Sequence, residues 1–156
     1  MIQRVQTIYL ILAVVAAALT LFMPLAFFSI STGELFDLYA SGLHSSADGE
    51  MLQNSIFMFV LGVIITVVPL VTIFLFKNRM LQIRACVIEV VLLFGFYIML
   101  GTYYYLCCRV FGQIGVELKG VHVAIAAPLV AMLMTFLAAK SIFSDELLVR
   151  STDRIR

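Results

Sequence analysis

Apolar residues in this chain do not alternate with polar ones; they run together in four blocks. Ile8–Phe28, Ile56–Phe76, Ala85–Leu106 and Val121–Ala139 carry almost no charge, and the third is interrupted once, by Glu89. Each is close to the roughly 20 residues an α-helix needs to cross a hydrocarbon layer about 30 Å thick. The pattern predicts an all-α membrane protein, a four-helix transmembrane bundle forming one domain over residues 1–156. The apolar run of span one is longer than the 7–15 residues of a signal peptide, so it reads as a retained signal-anchor.

Between the blocks the pattern changes period. Phe28 and Ile30 alternate with Ser29 and Ser31, Thr32-Gly33-Glu34 reads as a turn, and Leu35–Tyr39 reads as a second extended run. Ile114, Val116 and Leu118 alternate with Gly115, Glu117 and Lys119. Period two marks strands, which predicts three short ones, at about 27–31, 35–39 and 113–119. Together they make a small sheet over one end of the bundle. Residues 40–53, rich in Ser, Gly and Asp, read as irregular. Pro24, Pro69 and Pro128 fall inside predicted spans and should bend them. Small residues at helical spacing (Ala13 and Ala17, Ala127 and Ala131), with Gly62, Gly95 and Gly101, are candidates for close helix contact. Beyond Lys140 the chain turns polar. A short separate C-terminal helix is expected there, capped at Ser144 or Asp145, with acids early and arginines late as the helix dipole favours.

Composition agrees with the runs: 63% of residues are hydrophobic and 12% charged, against about 25% charged in a soluble domain. The distribution of charge adds an orientation. Arg4, Lys77, Arg79, Arg84, Lys140, Arg150, Arg154 and Arg156 flank one side of the spans, and only Arg109 and Lys119 lie on the other. The first long loop holds Glu34, Asp37, Asp48 and Glu50 and no basic residue. Lys and Arg near span ends stay in the cytoplasm. Both termini are therefore expected inside, and the two longer loops outside, in a multi-pass membrane protein.

Few residues offer chemistry. Glu89 is the one ionisable side chain well inside a span, and an intramembrane carboxylate is a functional candidate by default. Its bland reading is a hydrogen bond tying span three to the N-terminal segment. Tyr103, Tyr104 and Tyr105 read as an interfacial aromatic belt, Tyr being its only source in a chain without Trp. Cys107-Cys108 invites a redox reading, but no Cys-x-x-Cys pair is present, and Cys86 is a membrane's width away along the helix. His44 and His122 with scattered acids do not have metal-ligand spacing. No cofactor or metal is implied, and the basic clusters lack the aromatic interleaving of a nucleic-acid binder. At the cytoplasmic rim, Gln3, Arg4 and Gln6 precede span one, and Asp145, Glu146, Arg150, Asp153 and Arg154 follow span four. These two segments are the candidate interaction surface.

The two ends carry specific motifs. Met1-Ile-Gln-Arg-Val-Gln-Thr-Ile-Tyr-Leu10 leads into span one, with Phe22-Met-Pro-Leu-Ala26 near its end. Toward the C-terminus stand Ala126-Ala-Pro-Leu-Val-Ala131, Phe136-Leu-Ala-Ala-Lys-Ser-Ile142, Asp145-Glu-Leu-Leu-Val-Arg-Ser151 and Asp153-Arg-Ile-Arg156. In these the chain resembles a family of small four-span membrane proteins from Bacteroidota-type bacteria, classed as a domain of unknown function. The resemblance implies an inner-membrane location and four spans, and carries no catalytic residue with it. The leading expectation is a non-enzymatic subunit or scaffold of a membrane or envelope complex, with the lipid bilayer and other membrane proteins, or further copies of itself, as partners. The alternatives are a small transporter or channel using Glu89, and a membrane oxidoreductase at Cys107 and Cys108.

Overall fold

The computed structural model describes residues 3–30, 34–75, 78–112 and 116–153; the side chains of 3–4, 30, 111, 116–119 and 149–153 lie outside that description. Four long helices dominate: α1 (Gln3–Phe22), α2 (Ile56–Phe74), α3 (Arg79–Gly112) and α4 (Ala127–Asp153). All four are long and apolar enough to cross a membrane. Each runs antiparallel to the next, and α1 closes the ring by packing on α4 as well as α2. One end of the bundle carries both chain termini and the α2–α3 turn. The other carries the two long connections.

Those connections form one antiparallel sheet. Its strands are β1 (Ala26–Ile30), β2 (Leu35–Tyr39), β3 (Gly42–Ser45), β4 (Met51–Asn54) and β5 (Val116–Val121), in the order β4-β3-β2-β1-β5. The sheet has five strands where the alternation pattern predicts three. The predicted irregular stretch 40–53 contains β3 and β4, each of four residues, too short for alternation to register. A glycine makes the first of them fit. Gly42 has φ +151°, and a Cβ there would collide with the Gln53 carbonyl across the β3–β4 pair. Of the predicted third strand, 113–115 lie outside the described residues; the strand itself runs on to Val121 and pairs with β1.

Three of the four spans change their boundaries. Span one ends at Phe22 and not at Phe28. The residue before a proline is steered away from helix, so Pro24 sits in the link to β1 and does not bend a span. Span four starts later than Val121, because β5 and a short 3-10 helix (Val123–Ala126) occupy the first residues. Pro128 is therefore the second residue of α4, where its missing N–H costs nothing. Only Pro69 lies inside a helix. Span three extends beyond 85–106 at both ends; its 34 residues span about 51 Å at 1.5 Å per residue. The expected separate tail helix is absent: α4 is continuous to Asp153, and the Ser144 hydroxyl donates back to the Lys140 carbonyl at 3.0 Å without capping a new helix.

The interior is layered. Phe28, Phe36, Leu38 and Leu43 from the inner face of the sheet join Met58, Ile65, Leu93, Phe96, Leu100 and Cys107 in the main apolar core. A second cluster, Leu10, Cys86, Ala138 and Ile142, lies toward the terminal end. Helix contact follows small residues where predicted at Ala13, Ala17 and Ala131, all buried. At Gly62 a Cβ would lie 2.6 Å from Leu21 Cδ2. Gly95 and Gly101 face open space, so they are not contact glycines. The outward face of the bundle is apolar on every helix, with residues such as Ile8, Phe57, Val91 and Phe136 more than half exposed.

Candidate functional site

Three places in this fold gather polar side chains. The first is the terminal end of the bundle. Gln6 is buried in the first turns of α1, and its Nε2 donates to Asp145 Oδ2 near the end of α4. Beside it, Asn78, Arg79, Met80, Leu81 and Glu146 line an open hollow of about 460 Å³. Of the rim residues expected from the sequence, the fold thus brings together Gln6 and Asp145 directly. Glu146 lines that hollow together with Arg79. Gln3, Arg4, Arg150, Asp153 and Arg154 fall outside the described side chains. Gln82, also buried, donates to the Thr72 carbonyl at 3.0 Å and latches α3 to the end of α2.

The second place is Glu89. It faces the bundle interior with 1% of its surface exposed, and neither carboxylate oxygen has a hydrogen-bond partner among the described residues. Among the described residues of the N-terminal segment, none bonds to it; Gln3 and Arg4 lie outside the described side chains. The contrast with its neighbours is chemical. Thr20, Thr66, Thr72 and Thr135 each donate to the carbonyl four residues back in their own helices, the usual way a hydroxyl is satisfied in a helix. The Glu89 carboxyl group makes no such bond.

The third place is the outer face of the sheet, and sequence reasoning missed it. On β2, Phe36 and Leu38 point inward, so Asp37 and Tyr39 point out. Asp37 is directly opposite His44 on β3 and Phe27 on β1. Asp37 Oδ1 meets His122 Nε2 at 3.2 Å, and Oδ2 accepts from the Ser46 hydroxyl at 2.9 Å. The His122 ring packs on Phe27, and the His44 ring stands edge-on to Tyr39 while bonding Ser41 at 3.1 Å. Asp37, Tyr39, Ser41, His44, Ser45, Ser46 and Gly49 line an open hollow of about 410 Å³. The available signal was the outward parity of Asp37 within a strand correctly predicted. His122 could not be placed there because its segment reads as the start of span four. Among the described residues no group of three or more His, Cys, Asp or Glu side chains is arranged to hold a metal ion.

Near the sheet end Tyr105 is exposed, with Arg109 over its ring at 5.8 Å, while Tyr97, Tyr103, Tyr104 and the two cysteines pack into the structure. Tyr97 donates to the Ile125 carbonyl at 2.7 Å, joining α3 to the 3-10 helix. Tyr104 stacks at 5.5 Å on Phe28. Cys107 is buried in the main core, Cys108 is half-buried beside it, and all three cysteines are free.

The chain matches the family described as Domain of unknown function (DUF4293) over residues 2–155, and it belongs to that family. No curated protein and no solved structure matches it.

Proposed function

We propose that this protein is a non-catalytic subunit or scaffold of a bacterial inner membrane, with both termini in the cytoplasm and a docking surface at the cytoplasmic rim. The observation that carries this reading is the Gln6–Asp145 hydrogen bond. It joins the two chain ends, 139 residues apart, into one surface. The apolar outer faces of four helices support the membrane setting, because a soluble protein rarely exposes large continuous apolar patches. The eight-to-two partition of Lys and Arg supports the orientation. A part-buried hydrogen bond of this kind contributes only about 0.5–1.5 kcal/mol, so its larger consequence is that it fixes the two chain ends side by side.

The test is recovery of the intact protein from membranes in mild detergent after chemical cross-linking, with mass spectrometry of what accompanies it. A defined partner or a second copy should come with the wild-type chain. Deleting Ser151–Arg156 should deplete it at an unchanged thermal midpoint, and Gln6→Ala should deplete it while costing the bundle no more than the lost hydrogen bond, about 0.5–1.5 kcal/mol. Recovery of the chain as a monomer alone overturns the reading, and so does a truncation that unfolds the bundle while the complex survives in Gln6→Ala.

A further inference from the structure

Burying a carboxyl group with no bonding partner is costly, and this fold does it once among the described residues. The surroundings of Glu89 are not random. Gln82, Cys86 and Glu89 are spaced by four and then three residues, so they lie on one face of α3, and all three are buried. Gln6 on α1 and Thr72 on α2 are buried polar groups toward the same end of the bundle. On α3, Gln82 and Cys86 therefore stand between the terminal rim and Glu89, with Leu10, Ala138 and Ile142 packed beside Cys86. Beyond Glu89 the same face of α3 continues as Leu93, Phe96 and Leu100, closed by Met58 and Ile65 of α2 and by Ala16, Ala17 and Ala131. That side is sealed by apolar packing.

Among the described side chains, the elements packed around Glu89 offer it no counter-charge. The buried residues of α1 are Gln6, Leu10, Ala13, Ala16, Ala17 and Thr20; half-buried Tyr9 packs against the Leu10–Cys86 cluster and is the nearest titratable group α1 supplies there. The buried positions of α2 and α4 contribute Thr72 and Thr135 as their only polar side chains, with no acid or base. On α3 itself the facing titratable group is Cys86. Lys140 and Arg84, the cations nearest in sequence to this depth, are exposed on the outside of their helices.

We propose that Glu89 is a proton-binding site that exchanges with water from the end of the bundle carrying the chain termini, along Gln82 and Cys86, and is closed toward the sheet. The proton is the ligand this geometry fits. It needs no coordination shell, whereas a metal cation would need several oxygen ligands, and the described interior supplies one carboxyl group. A one-sided, dead-ended site does not conduct. It loads and unloads a proton from a single compartment, which suits sensing or gating better than transport. The proposal does not depend on the rim docking a partner.

The experiment is infrared difference spectroscopy on the full-length protein in lipid nanodiscs, stepping bulk pH, in H₂O and in D₂O. A carboxylic-acid C=O band should appear in the difference spectrum, move to lower frequency in D₂O, and be lost in Glu89→Gln. Gln82→Leu and Cys86→Val should each slow the D₂O shift of that band while leaving the band itself. Dicyclohexylcarbodiimide, which adds to a protonated carboxyl group buried in an apolar setting, should label the Glu89 peptide in the wild type. Absence of the band, or its persistence in Glu89→Gln, removes the site. Exchange that is unchanged in both path variants overturns the proposed route, and faster exchange in Leu93→Ser then shows that access is from the sheet side.

Discussion

At the residue scale, Glu89 sets the sharpest expectation. If its role were structural, removing it would leave a partner unsatisfied and destabilise the bundle. No such partner is present among the described residues. Replacing a buried, unbonded polar group by an apolar side chain of similar size removes a burial penalty of about 1–3 kcal/mol. Glu89→Leu should therefore raise the thermal midpoint of the purified protein in detergent. A fall would reveal a hydrogen bond that matters to folding and restore the structural reading. Tyr97 is the opposite case: its hydroxyl is spent on the Ile125 carbonyl. Tyr97→Phe keeps the ring and removes that bond, so it should cost about 0.5–1.5 kcal/mol, measured as a lower denaturation midpoint with the secondary structure unchanged.

At the scale of elements, α1 and α2 approach closely at one position and α3 does not use its glycines that way. Gly62→Val would drive a side chain into Leu21 of α1 and should cost about 1–3 kcal/mol, as overpacking does. Gly95→Ala meets nothing within 4 Å and should stabilise α3 by about 0.5–1 kcal/mol through helix propensity. Comparing the two thermal midpoints tests the assignment, and equal effects would refute it. The same pair shows where the sequence is legible. Apolar runs of span length locate all four helices because lipid-length hydrophobicity is a long, redundant signal. Which glycine faces a neighbour depends on helix rotation, which the near-uniform apolarity of α3 does not encode. Pro24 and Pro128 read as kinks in the sequence because apolar residues continue past them. They end and begin helices in the fold because the adjoining apolar residues, Leu25–Phe28 and Val121–Val123, feed the sheet and the 3-10 helix. Strands β3 and β4 escaped notice for want of length, and with them the Asp37–His44 register that builds the outer hollow. Glu89 stood out at once, since one acid in an apolar block is conspicuous, while its lack of a partner required all four helices to be placed around it.

At the scale of the molecule, orientation ties the parts to compartments. The sheet and the termini occupy opposite ends of the bundle, and the basic residues concentrate at the terminal end. Moving Lys or Arg across the membrane is disfavoured near span ends, so the sheet should face outward and the Gln6–Asp145 rim inward. The native cysteines make poor reporters: Cys86 and Cys107 are no more than 3% exposed, and Cys108 is half-buried. Ser46, at the end of the sheet, and Asn78, between α2 and α3, are both exposed. In a background with the three cysteines replaced by alanine, Ser46→Cys should react with an impermeant maleimide in intact spheroplasts. Asn78→Cys should react only after the membrane is opened. The reverse pattern would put the sheet in the cytoplasm and detach the docking reading from its compartment. It would leave the proton site at Glu89 intact but loading from the other side, because that site is defined by which end of the bundle it opens to.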